Sequence, residues 1–186
     1  SISEKGDDPH DFVPAGLMSE KTVMLGRVQY LRHRGAPGAW WQVAADAYGA
    51  FPDDATARRM AGDALVDQAL TEVGSSCGSR LPERTLERLQ EGALLLQRQW
   101  DEARNYENAS DIIWSNLACN LITAYRALGR IEQARNVRDQ LQALGSTDPD
   151  VRFALAQVAM EDDDHDQVVK LLTDLPESAT RTMMLL

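Results

Sequence analysis

From Asn116 to Leu175 the chain reads NLACNLITAYRALGRIEQARNVRDQLQALGSTDPDVRFALAQVAMEDDDHDQVVKLLTDL, a stretch whose two halves carry one apolar pattern at a single offset. Leu117 and Val151, Leu121 and Leu155, Ala124 and Val158, Ala134 and Val168, Val137 and Leu171, and Leu141 and Leu175 are each 34 positions apart. In the first half, Leu117, Leu121, Ala124, Tyr125 and Leu128 recur at three- and four-residue steps, which sets them on one stripe of a helix. Gly129 then offers the backbone freedom to leave that helix with positive φ. A second stripe, Ile131, Ala134, Val137, Leu141 and Leu144, closes on Gly145 and the turn-forming Ser146-Thr147-Asp148-Pro149. Neither helix can bury its stripe alone, so the two are expected to pack antiparallel. Small Ala134 allows their close approach, and the next pair must cover the apolar edge that remains.

This period and rhythm resemble the tetratricopeptide repeat, a helix-turn-helix unit of 34 residues. The resemblance is carried by Leu121, Tyr125, Gly129, Ala134 and Asp148-Pro149 in the first copy, and by Leu155, Ala156 and Val168 in the second. Arg138 stands where the family usually has an aromatic, and Asp163 stands where the first copy has Gly129. The expected fold is all-α, a right-handed α-solenoid of about five antiparallel helical hairpins that are degenerate tetratricopeptide-like repeats. A flexible arm, 1–19, precedes a repeat domain over 20–186, with approximate repeats 20–54, 55–80, 81–113, 114–148 and 149–182.

Outward from that core, Val23, Met24, Val28 and Leu31 have helical steps, and Arg34-Gly35-Ala36-Pro37-Gly38 ends their helix. Trp40, Val43, Ala44, Ala47, Tyr48 and Phe51 form the next stripe, stopped by Pro52-Asp53-Asp54. Gly35 stands five residues before Trp40 as Gly129 stands five before Ala134, although Trp40 replaces the small residue. Asp53-Asp54 caps a helix over about 54–73. Gly74 to Ser79 is loop-like, and the second helix of that repeat is absent or merged into the first. Leu81-Pro82 restarts a helix, and Arg98-Gln99-Trp100-Asp101-Glu102-Ala103 resembles the family's entry into the second helix of a repeat, which implies a separate helix there.

Composition narrows the function. Lys plus Arg number 19 against 29 Asp plus Glu, a net charge of −10 that disfavours nucleic acid and anionic lipid and favours a neutral or basic partner. No apolar run approaches the roughly 20 residues needed to span a bilayer. No signal peptide is visible after Ser1, so a cytoplasmic address is expected; without an initiator Met, the chain is expected to be a processed product or an excised segment. Met183, Met184, Leu185 and Leu186 are too apolar for an ordinary polar cap, and point to further chain or to docking of this end, including self-association into a homo-oligomer.

Residues that suggest chemistry have plainer readings. Glu161-Asp162-Asp163-Asp164-His165-Asp166 lacks the ligand order of an EF-hand and reads as a solvated turn, so no metal or cofactor is expected. His10, His33 and His165 are scattered, and no nucleophile elbow, phosphate loop or zinc-binding His-Glu pair is present. Cys119 falls in a helical pattern as a small hydrophobe, whereas Cys77 lies in a Gly/Ser-rich stretch. Trp40-Trp41 and Trp100 suggest an aromatic ligand pocket, but aromatics at helical spacing more often pack in the core; Trp41 is the exception, since two adjacent residues cannot share one stripe.

The resemblance implies a function where the residues alone do not. In tetratricopeptide arrays the first helix of each pair lines a concave groove, which here would present Asn116, Cys119, Asn120, Thr123 and Arg126, joined by Asp150 and Gln157 and by Arg84 and Arg88. Asn120 matches a groove Asn that fixes a peptide backbone in several family members. Asp150 and Ala154 occupy positions where carboxylate clamps carry basic residues, which argues against chaperone tails as ligands. The expectation is a non-catalytic module binding a protein or peptide. The alternatives are a regulatory or substrate-recruiting segment of a larger enzyme, for example a glycosyltransferase or sulfotransferase, and a self-association module.

Overall fold

A computed structural model of the chain describes residues 19–74, 81–103, 111–145 and 149–173. They form eight helices, α1 (Glu20–His33), α2 (Pro37–Ala50), α3 (Ala55–Gly74), α4 (Glu83–Ala103), α5 (Asp111–Ala127), α6 (Ile131–Ala143), α7 (Pro149–Glu161) and α8 (His165–Leu172), and no strand occurs among the described residues. The all-α class is therefore observed. Residues 1–18 of the arm, Cys77 and Met183 to Leu186 lie outside the described residues, as does the side chain of Asp150.

Two compact units divide the chain, Ser1–Gln99 and Trp100–Leu186. In the first, α1 packs on α2, and α3 packs on both. Its core gathers Val28, Trp40, Ala44, Ala47, Met60 and Ala64. Trp40 is accommodated because Ala44 and Ala47 supply the close approach that a small residue at position 40 was expected to give, and the Arg32 guanidinium lies 5.3 Å from its ring centre. In the second unit α5 packs on α6, α7 on α8, and α7 also on α5 and α6. Leu117 and Val151, Leu121 and Leu155, Ala124 and Val158, and Ala134 and Val168 are all buried, so the period in the sequence becomes a period in burial.

One turn recurs between helices. Gly129 has φ 70°, its N–H donates to the Arg126 carbonyl, and the Arg130 N–H donates to the Tyr125 carbonyl at 2.8 Å. Gly35 (φ 67°) repeats this between α1 and α2, bonding to Arg32 while Ala36 bonds to Leu31. Asp163 (φ 58°) repeats it between α7 and α8, bonding to Met160 while Asp164 bonds to Ala159. These bonds satisfy helix-end carbonyls and turn the chain back on itself. Each following helix then starts from the same place, with the N–H of Trp40, Ala134 or Val168 donating to the carbonyl four residues earlier at 3.1 Å.

The middle of the chain departs from the expected spacing. Residues 55–103 hold two long helices, α3 and α4, and Trp100 lies in the last turns of α4 instead of opening a separate helix. Nothing between Glu83 and Ala103 breaks a helix except Gly92, and Gly92 is used for contact. A Cβ there would lie 3.1 Å from the Gly62 carbonyl oxygen and 3.1 Å from Leu65 Cβ. A Cβ on Gly62 would fall 2.8 Å from Leu96 Cδ2. The two glycines thus let α3 and α4 approach at backbone distance. At the other end of the crossing, Thr85 Oγ1 donates to Glu72 Oε2 at 2.8 Å and Arg88 pairs with Glu72, so the helices run antiparallel.

Candidate functional site

Two surfaces stand out, one in each unit. In the second unit, Asn116, Asn120, Thr123 and Arg126 follow one another along α5 at helical steps. Asn116 is exposed, the other three are half-buried, and Gln157 is exposed on neighbouring α7. The Thr123 hydroxyl donates to the Cys119 carbonyl at 2.8 Å, so its proton is spent inside its own helix and its oxygen can only accept from another group. Arg126 is engaged by Asp162, whose other oxygen accepts from Arg138 at 3.1 Å. Arg138 also donates to Asp139 at 2.8 Å, and both carboxylates hold its guanidinium more firmly charged, Asp139 the more strongly.

The acidic stretch before α8 thus works inside the fold. Asp162 ties α5 to α6, Asp163 makes the left-handed turn, and Asp164 Oδ1 accepts from the Gln167 N–H at 3.1 Å as the cap of α8. Among the described residues no three His, Cys, Asp or Glu side chains stand close enough to hold a metal ion. No helix of the described residues is long and apolar enough to cross a membrane.

In the first unit, Arg88 is paired with Glu72, and Thr85 and Arg88 together hold that carboxyl below the usual glutamate range, the Thr85 hydroxyl most strongly. The three tryptophans Trp40, Trp41 and Trp100 take different places. Trp40 is buried in this unit, and Trp100 is buried in the other, its Nε1–H donating to Gln140 Oε1 at 2.6 Å. Trp41 is half-buried and lines a groove of about 570 Å³ on α2, α3 and α4. Its indole N–H donates to Asp67 Oδ2 at 2.9 Å, which fixes the ring as one wall. Along α2, Gly38, Ala45 and Gly49 leave room between Trp41 and Tyr48, with Leu65 and Leu95 as the apolar floor and Glu91 at the α4 side. The sequence suggests an aromatic pocket of Trp41 with Trp40 and Trp100, whereas among the described residues the groove sets Trp41 with Tyr48. The signal was the small residues at 38, 45 and 49, which share the Trp41 face of α2.

No family model, curated protein or solved structure matches the chain. Its function must therefore be argued from these two surfaces alone.

Proposed function

We propose that the chain is a non-catalytic protein-interaction module, a right-handed solenoid of hairpins resembling tetratricopeptide repeats, which takes a peptide or partner domain along α5 and α7. The observation that carries this reading is the row of Asn116, Asn120 and Thr123 on one face of α5, with Gln157 on the helix packed beside it. Side-chain amides offer both donors and an acceptor, the complement of an extended peptide backbone. Preformed helices hold that row in place, so little ordering entropy is lost on the receptor side when a ligand binds. Arg126 has a different role in this account, because its charge is committed to Asp162. A net charge of −10 favours a neutral or basic partner.

Selection from a random displayed peptide library tests the reading. The wild-type chain is expected to enrich a related set of sequences whose binding is lost on the Asn116→Ala/Asn120→Ala variant. No enrichment, or a pool in which no sequence loses binding on this variant, argues against recognition on α5.

A further inference from the structure

We infer that the groove on α2, α3 and α4 is a second recognition site, which takes a partner segment presenting an aromatic or large aliphatic side chain next to a lysine or arginine. This rests on the reading of the chain as an interaction module, but it concerns a different unit and different residues.

Size, shape and charge lead to this occupant. About 570 Å³ lies in the range of sites that hold a ligand of several side-chain volumes. Trp41 and Tyr48 border it and Leu65 and Leu95 floor it, so the space suits an apolar group. Trp41 is held by Asp67 before any ligand arrives, which lowers the ordering cost of binding. The charge of the lining is one-sided: among the described residues Glu91 is its charged residue, and neither Lys nor Arg contributes. A cation beside the apolar group would meet the Glu91 carboxylate in a groove bordered by two electron-rich rings. An acidic neighbour would be repelled by Glu91 and by the net charge of −10.

The groove also offers a way to block it without disturbing the fold. A Cβ on Gly38 or Gly49 has nothing within 4 Å, and neither residue needs positive φ. Gly49→Phe and Gly38→Leu therefore fill the space from a helix that gains propensity by losing a glycine.

The experiment is selection from a random displayed dodecapeptide library on the wild-type chain, followed by titration of one enriched synthetic peptide. The readout is the indole N–H resonance of Trp41, assigned through Trp41→Phe. The expected pool pairs Phe, Trp or Leu with adjacent Lys or Arg, and its member shifts that resonance saturably. Binding should weaken about tenfold or more on Gly49→Phe and on Gly38→Leu, as for loss of a central anchor. It should weaken about threefold on Glu91→Gln, as for loss of one exposed charge pair. Asn116→Ala/Asn120→Ala should leave this peptide unaffected, which separates failure of this site from failure of the α5 face. The inference is overturned by a pool lacking the apolar-basic pairing, by no enrichment, or by binding that survives both filling variants in chains whose circular dichroism is unchanged.

Discussion

Asp163 holds the same left-handed backbone as Gly129, 34 positions before it, with φ 58° against 70° and the same pair of carbonyl acceptors one repeat apart. The conformation is thus retained where the glycine is lost, as an aspartate permits at some cost. Gly129 has open space around its Cβ position, so only the backbone opposes a side chain there. Gly129→Ala is expected to cost about 1–2 kcal/mol in urea unfolding. Asp163→Gly should be neutral or slightly stabilising, because the relief of strain is offset by the entropy of a glycine in the unfolded chain. Equal losses at both positions would contradict a shared turn.

A second contrast separates glycines that make contact from glycines that do not. Gly92→Ala should destabilise by about 1–3 kcal/mol, since the new methyl meets the Gly62 carbonyl and Leu65 Cβ, which cannot move independently. Gly26→Ala meets nothing within 4 Å and should stabilise by about 0.5–1 kcal/mol through helix propensity. Gly62→Ala should fall between them, because the closest atoms it meets belong to the movable end of Leu96. Thermal unfolding of the three variants checks the order.

Acid titration should report on Asp54. Its carboxylate pairs with Lys21 at 2.8 Å and accepts from the Thr56 and Ala57 N–H groups as the cap of α3. Lys21 most strongly, then these N–H groups, lower its pKa below the ordinary 3.8. The folded pKa is depressed, so the stabilisation is complete above the unfolded value near 3.8 and is lost as pH falls through the folded value. Asp54→Ala should cost about 1 kcal/mol at neutral pH, as for loss of a helix cap, and should flatten the fall in stability below pH 3.8. A variant with an unchanged acid limb would contradict this assignment.

Arg126 provides a direct check on the division between recognition and structure. A double-mutant cycle of Arg126→Ala with Asp162→Ala should give a coupling of about 0.2–1 kcal/mol that shrinks with added salt. Peptide binding to Arg126→Ala should change less than binding to Asn120→Ala. The opposite order would return Arg126 to the recognition surface.

Helix class and burial were legible in the sequence because periodic leucines, valines and alanines report directly on which face is covered. Leu117 and Val151 illustrate this, each buried at its place in the period. Turn position was legible at Gly129 and Gly35, and less so at Asp163, where an aspartate within an acidic run adopts the same φ without a glycine to mark it. The length of α4 was obscured because Trp100-Asp101-Glu102-Ala103 resembles a helix entry while containing nothing that stops a helix. The pairing of Arg126 with Asp162 was hidden because the two lie 36 residues apart, and side-chain pairing over such a separation leaves no periodic trace. The Trp41 groove is set by what small residues leave unfilled, which a pattern of large apolar residues does not record.

Site-specific photocrosslinking reports whether a bound peptide lies along α5 and α7. A benzoylphenylalanine is placed in turn at Asn116 and Gln157, on α5 and α7, and at the exposed Gln133 and Gln142 of α6. Each chain is irradiated with a peptide selected by the wild type and lost on Asn116→Ala/Asn120→Ala. The account predicts adducts from positions 116 and 157 and none from 133 or 142. Adducts from the α6 positions alone, or equally from all four, would contradict recognition along α5 and α7.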